Sequence, residues 1–289
     1  MQLHGLMKRV CPLAFALLAA VQAQSNISPT AKHAHAANAG WIDLRPSGST
    51  GLQVHDGFVG GNAYAANFGW INFGNGQPAN GFSYTNNSAT DFGLNLGSGG
   101  ALNGYAYSAN VGWINFEQIH GKPRIDLLTG IFSGFAYSGN VGWIDLGSSG
   151  LKANSLVRAD TDADGLSDTW EMQYFSSLTV ANSLTDQDGD GLSDLAEYQA
   201  GSNPLLSGSR FEIISRTIDP VTGLASLSFR SSPDRLYRVM HGPSLQSAWS
   251  ASSPAWLPGD SGEVTTRSLN FPASSRHFFR VESSLPLEP

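Results

Sequence analysis

Apolar and polar positions alternate in short runs from about residue 31 to 146, and one phrase returns four times: ANAGWIDL at 37, ANFGWINF at 66, ANVGWINF at 109 and GNVGWIDL at 139. Its tryptophans, Trp41, Trp70, Trp113 and Trp143, are separated by 29, 43 and 30 residues. The long interval holds GNGQPANGFSYTNNSATD, whose Gly, Asn, Ser and Thr content reads as an inserted loop, so the underlying period is near 30. Runs such as GYAYS and GFAYS stand before an Asn-x-Gly turn, and WINF or WIDL after it. Aromatic and β-branched residues at period two on either side of residues that tolerate positive φ predict a β-hairpin. A further strand is predicted before three of the hairpins, at LQVHD, FGLNL and RIDLL. Three strands per repeat, stacked or closed on themselves, make residues 24–150 an all-β repeat domain.

The alternation leaves the tryptophans with two readings. Within GWINF, Trp and Asn share one strand face and Ile and Phe the other. The expectation adopted is that each Trp, with the tyrosine across its hairpin, closes a layer of the core against the neighbouring repeat. The alternative is a row of exposed aromatic platforms flanked by Asn or Asp, an arrangement that suits sugar rings.

The pattern changes after GSSG at 147–150. Residues 151–207 form a linker and two short acidic stretches, closed by GSNPLLSGS, and 208–289 return to alternating runs such as FEIISRTI, LASLSFRSS, RLYRVM and EVTTRSLNF. These runs, bounded by Pro, Gly, Ser and Asp, predict a β-sandwich-like domain. Its arginines mostly alternate with apolar residues and read as the solvated face of strands. The fold class is therefore mainly β: an N-terminal β-hairpin repeat domain, a central paired loop-helix segment and a C-terminal β-sandwich-like domain.

Ten of the 23 acidic residues fall between Asp160 and Glu197. The first stretch offers Asp160, Asp162, Asp164, Gly165, Asp168 and Glu171, and the second Asp186, Asp188, Asp190, Gly191, Asp194 and Glu197. Both satisfy D-x-[DN]-x-[DN]-G-x₅-E. A hard cation with six to eight oxygen ligands is wrapped by carboxylates at positions 1, 3 and 5 and by the carbonyl at position 7, here Leu166 and Leu192. Glycine at 6 permits the sharp turn, Asp at 9 reaches the ion directly or through water, and Glu at 12 can bind through both oxygens. Without a cation such carboxylates repel one another, so two Ca²⁺ sites are expected. An acidic solvated linker does not readily produce two complete patterns. Each loop opens into a short helix, with Trp170, Tyr174, Phe175, Leu195 and Tyr198 available to pack the two together. LKANSLVRA, before the first loop, is a weak helix former, so these are loop-helix halves. Ala163, where glycine often stands, is not expected to disturb ligation.

DTDADGLSDTWEMQYF and DQDGDGLSDLAEYQAGSNP resemble the thrombospondin type 3-like, EF-hand-like calcium repeats of large secreted bacterial modular proteins, over about 50 residues. GYAYSANVGWINF is similar to Gly-Tyr-Ala-Trp and Gly-Trp-Ile repeats of such exported proteins and implies no activity. Dockerins share the paired layout, but usually with Asp at position 12, which argues against a cohesin partner.

Lys8 and Arg9 precede the apolar run VCPLAFALLAAV and then Val21-Gln22-Ala23, the pattern of a signal peptide over residues 1–23. The run is too short to span a bilayer, and no later segment is apolar enough. The only cysteine, Cys11, lies in that segment, so no disulfide or Cys-based metal site is expected. The net charge of −7 becomes more negative once Lys8 and Arg9 are removed, which argues against nucleic acid and anionic membranes as partners. No nucleophile elbow, His-Glu-x-x-His or phosphate loop occurs. The six histidines outside residues 1–23 are scattered, and His33 and His35, which could bind a metal weakly, read as solvated tail. Paired carboxylates of a glycan hydrolase need only lie about 5 to 10 Å apart, a requirement sequence leaves open. Asp43, Asn72, Asn115 and Asp145 alternate between acid and amide at equivalent positions, which suits hydrogen bonding better than acid catalysis. The expectation is a secreted or cell-surface, non-catalytic, calcium-binding protein of adhesion or envelope architecture, whose partners are cell-surface proteins or polysaccharide. Carbohydrate binding through the repeat face is the alternative, and a divergent glycan hydrolase the third reading.

Overall fold

The computed structural model describes residues 24–219, 221–246, 248–252, 256–270 and 278–288. The signal segment read at 1–23, with Cys11, lies outside the described residues. The chain begins with β1 (His33–Ala36), β2 (Gly40–Asp43), β3 (Gln53–Val54), β4 (Phe58–Gly60), β5 (Asn62–Ala65), β6 (Gly69–Asn72) and β7 (Leu94–Leu96). It continues with β8 (Leu102–Ser108), β9 (Gly112–Asn115), β10 (Arg124–Ile125), β11 (Phe132–Ser133), β12 (Phe135–Ser138) and β13 (Gly142–Asp145). The four repeated phrases make the antiparallel hairpins β1–β2, β5–β6, β8–β9 and β12–β13. Neighbouring hairpins pair through β2–β5, β6–β8 and β9–β12, and β13 returns to β1. The eight strands thus close into a ring, which removes the free edges that an open sheet would present.

Closure decides which face of each strand is inside. Ile42, Ile71, Ile114 and Ile144 are buried, each opposite a buried alanine: Ala34, Ala63, Ala106 and Ala136. A narrow barrel has room for such a large-small pair on every hairpin and little more. The next inward residues, Leu44, Phe73, Phe116 and Leu146, complete the same core. Period two then sends the tryptophans outward, where they are between 44% and 58% exposed. The core-layer reading of the tryptophans is overturned, because a closed ring has one interior and the isoleucines hold it. His33 and His35 are not a tail either: they lie in β1, and the His35 ring meets Trp41 edge-on at 4.8 Å.

The rest of the phrase builds the turn. Gly40, Gly69, Gly112 and Gly142 all have φ between +74° and +83°, the left-handed residue that a three-residue hairpin loop needs. The asparagine before it bridges repeats: Asn67 Nδ2 donates to Ala39 O (2.9 Å), Asn110 to Phe68 O (3.0 Å) and Asn140 to Val111 O (3.0 Å). Between them Phe68, Val111 and Val141 are buried and plug that end of the barrel. At the other end the outer strands β3, β7 and β10 pair with β4, β8 and β11. Leu151, Ala153 and Leu156 are buried in this same core, as is Leu287 from the far end of the chain.

Two short helices follow, α1 (Asp168–Phe175) and α2 (Asp194–Ala200). The last part holds β14 (Ile213–Ile218), β15 (Leu224–Arg230), β16 (Leu236–Gly242), β17 (Ser250–Ala251), β18 (Leu257–Pro258), β19 (Val264–Asn270) and β20 (Phe278–Ser284). One sheet runs β14–β15–β19, and in the other β16 pairs β17, β18 and β20. Ala225, Leu227, Phe229 and Leu269 of the first meet Tyr237 and Val239 of the second, a sandwich core. Arg235 departs from the solvated-face reading: its guanidinium donates through Nε and Nη2 to Tyr198 O, beneath α2.

Candidate metal centres

Both acidic loops are held by matching backbone bonds, with one more to the first aspartate of the second. In the first, Asp160 accepts from the amides of Asp164 and Gly165 (both 3.1 Å), and Asp164 Oδ1 from Leu166 N (2.8 Å). In the second, Asp186 accepts from Gly189 (2.8 Å), Asp190 (3.2 Å) and Gly191 (2.9 Å), and Asp190 Oδ1 from Leu192 N (2.8 Å). Gly165 and Gly191 share φ of +94°, the conformation position 6 demands. The loops differ at position 4: Gly189 has φ of +73°, whereas Ala163 is forced to +61°.

Wrapped in this way, Asp160, Asp162 and Asp164 each bring one carboxylate oxygen within 4.8 Å of the others, and Asp186, Asp188 and Asp190 do the same. Glu171 and Glu197 project from α1 and α2 and are fully buried. Neither oxygen of Glu171 has a hydrogen-bond partner, nor do Oε2 of Glu197 and Oδ2 of Asp164, Asp188 and Asp190. Glu197 Oε1 accepts from Ser202 Oγ at 3.0 Å. Arg210 Nε stands 3.4 Å from Asp190 Oδ2, near enough for an ion pair but without hydrogen-bond geometry. Burial, and then the charges of Asp164, Asp162, Asp168 and Asp160, push the Glu171 carboxyl up to about 7. Burial, and then Asp188, Asp190 and Asp194, push Glu197 to about 7 against the Ser202 bond. A buried carboxylate without donors, beside a carboxylate triad, is costly unless a cation completes it. The oxygen-only donor set fits a hard divalent ion such as calcium.

Asp168 and Asp194 do something the spacing did not announce. Asp168 accepts from Thr161 N (2.8 Å) and Thr161 Oγ1 (2.6 Å), and Asp194 from Gln187 N (3.3 Å) and Thr185 Oγ1 (2.5 Å). They lace the start of each loop to the first turn of its helix. The Leu166 side chain is buried with Trp170, Ala181 and Tyr198, and Leu192 is half-buried. Tyr174, Phe175 and Leu195 pack around that cluster, as the sequence led us to expect, and the Trp170 and Tyr198 rings meet edge-on at 5.4 Å.

The centres are fastened on both sides. Ser167, at the start of α1, donates its hydroxyl to Asp56 Oδ2 of the barrel (2.6 Å). At the end of α2, Tyr237 Oη donates to Ala200 O (2.8 Å) beside the Arg235 bonds. Gly99 N donates to Asp234 Oδ1 (2.6 Å), joining barrel and sandwich directly. A cleft of about 430 Å³ remains between the three parts, lined among others by Asp56, Arg158, Trp170, Tyr174 and Arg235.

Residues 160–174 and 186–207 match the bacterial TSP3 repeat. No match is found among curated proteins or among solved structures. The match spans the two loops and their helices, and with the two aspartate triads it supports calcium binding by this segment. Among the described residues no helix is long and apolar enough to cross a membrane.

Proposed function

We propose that this is an extracellular, non-catalytic protein of adhesion or envelope architecture, in which two calcium ions hold a joint between a β-barrel and a β-sandwich. The observation that carries the reading is the duplicated burial of Glu171 and Glu197, with unpartnered oxygens, beside an aspartate triad. Asp160, Asp162, Asp164, Glu171 and the Leu166 carbonyl would hold one ion, and Asp186, Asp188, Asp190, Glu197 and the Leu192 carbonyl the other, with Asp168 and Asp194 at position 9 reaching the ions through water while they accept from Thr161 and Thr185. The ion supplies positive charge and ties each loop to its helix. The helices carry Trp170 and Tyr198 into a common cluster.

The non-catalytic reading rests on what the equivalent acids and amides of the barrel do. Asp43, Asn72, Asn115 and Asp145 each accept through Oδ1 from the amide two residues on, at 2.6 to 2.9 Å. An acceptor oxygen is all that this role requires, so acid and amide interchange. Calorimetric titration of the chain from residue 24 tests the calcium reading. Two sites are expected, with Kd roughly 10⁻⁴ to 10⁻³ M or tighter, and no heat at millimolar calcium would end it.

A further inference from the structure

Within the repeated phrase almost every residue serves the barrel itself. Ala and Ile fill the interior, Asn and Gly make the turn, and Asp or Asn holds the strand exit. The tryptophan, and the Tyr or His opposite it, serve no such purpose. We propose that these outward aromatics form four related subsites for a neutral polysaccharide.

Each subsite has the same parts. The Trp is paired across its hairpin with an aromatic ring in edge contact: His35–Trp41 at 4.8 Å, Tyr64–Trp70 at 5.1 Å, Tyr107–Trp113 at 4.9 Å and Tyr137–Trp143 at 5.1 Å. That contact holds the indole while about half of it stays in solvent. The register then brings in a polar group from the neighbouring hairpin: Asp145 opposite His35, Asp43 opposite Tyr64, Asn72 opposite Tyr107 and Asn115 opposite Tyr137. Oδ1 of that group is engaged by the backbone, and the second atom points to the chemistry available to a ligand: an amide NH₂ from Asn72 and Asn115, a carboxylate oxygen from Asp145. In Asp43 the second oxygen takes Lys32 Nζ at 2.6 Å.

A flat apolar ring face with a hydrogen-bonding group at its edge matches a pyranose whose hydroxyls are equatorial. Its C–H face lies on the indole while hydroxyls at its rim meet the amide or carboxylate. Charge selects among polymers: residues 24–150 hold four Lys and Arg against six Asp and Glu, a net negative balance that does not favour a polyanion. Neighbouring tryptophans are two strands apart around the ring, about 10 Å at the backbone and farther at the diverging indoles, so a chain of several sugars can touch adjacent subsites and gain from their linkage. The inserted loop deepens one of them. Its end carries Phe92 to 5.1 Å from Trp113, a second ring beside the indole, which makes the Trp113 subsite the principal one.

The experiment uses the chain from residue 24, in calcium and in chelator, on native affinity gels. The gels contain hydroxyethylcellulose, laminarin or galactomannan, with polyanionic alginate for comparison. At least one neutral polymer retards the protein, in calcium and in chelator alike, and Trp113→Ala weakens retardation several-fold and more than Trp41→Ala. A variant with all four tryptophans changed to alanine loses retardation while its Tm moves by less than about 5 °C. N-bromosuccinimide footprinting on the unmodified chain is the second measurement: the retarding polymer protects Trp41, Trp70, Trp113 and Trp143 from oxidation. The proposal is overturned if none of the three neutral polymers retards the protein, if only alginate does, or if the fourfold variant is retarded as before. It is equally overturned if the polymer protects none of the four indoles, or if their replacement converts a dimer to a monomer, since the belt is then a self-contact. No calcium ligand takes part, so failure here leaves the calcium titration standing.

Discussion

Ile71 in the barrel and Glu171 in the calcium segment are equally inaccessible to water, and the two regions bury them for opposite reasons. The isoleucine faces Ala63 inside a ring where every hairpin is paired to the next, so its burial removes apolar surface from water and brings no charge with it. The glutamate enters an interior that offers it no donor and several like charges. Both regions repeat a short phrase. One repeat completes itself with its neighbours, whereas the other, on the function proposed above, is completed by an ion. The stability of this molecule should therefore divide sharply along the chain.

The widest separation of the two is expected on removing calcium. Binding to the ordered form alone stabilises it by about 2.7 kcal/mol at a hundredfold excess over Kd, and that is lost in chelator. The loops should open, the Trp170 cluster should loosen, and cleavage by a broad-specificity protease should appear between residues 155 and 205. The barrel and sandwich should persist. Limited proteolysis and small-angle scattering check this, and identical fragments and dimensions in both conditions would refute an ion-held joint.

Ile71→Ala strikes the self-sufficient region. Truncating a fully buried isoleucine costs about 2 to 5 kcal/mol, so thermal unfolding of the barrel should shift strongly with calcium affinity unchanged. Glu171→Gln tests the dependent region, and its sign should reverse with conditions. In chelator the variant segment should resist protease better than the parent, since a charge that burial disfavours is gone. In calcium it should bind one ion about tenfold more weakly, because a position-12 ligand has lost its charge. Weaker protection in both conditions would mean that Glu171 is structural only.

The comparison also explains what could be read in advance. Hairpins and acidic loop-helix units were legible because their signals are local: alternation at period two, Gly at the turn, acids at 1, 3, 5 and 12. Which strand face is the interior was not, because alternation defines two faces without ranking them, and Trp is the larger apolar residue. The deciding signal was the small partner. Ala34, Ala63, Ala106 and Ala136 stand opposite the isoleucines, and such large-small pairs are what a narrow closed barrel accommodates. The lacing by Asp168 and Asp194, and the reach of Arg235 to Tyr198, depend on contacts that spacing does not encode.

A smaller effect distinguishes the two loops from each other. Ala163 holds the left-handed backbone that Gly189 adopts freely at the matching position, and that conformation costs an L-residue about 1 to 2 kcal/mol. Contrary to the expectation from sequence that alanine leaves ligation undisturbed, Ala163→Gly should tighten the first site by several-fold and leave the second as it was. Titration of the variant beside the parent reads the difference directly, and equal affinities would show that the first loop tolerates alanine there without cost.

The smallest expected effect on stability comes from the most conspicuous residue of the repeat. Trp113 is about half exposed, and its ring contacts are with Tyr105, Tyr107 and Phe92 on the outer surface. Cross-strand pairs of this kind contribute about 0.2 to 1 kcal/mol, well below the cost of a buried tryptophan. Trp113→Ala should therefore melt close to the parent, while Ile114→Ala, one residue on and facing inward, should be destabilised by about 2 to 5 kcal/mol. Measuring both by thermal denaturation contrasts adjacent positions on opposite faces of one strand. A loss at Trp113 as large as that at Ile114 would mean that the outer aromatics support the barrel after all, and would remove the reason for assigning them a ligand.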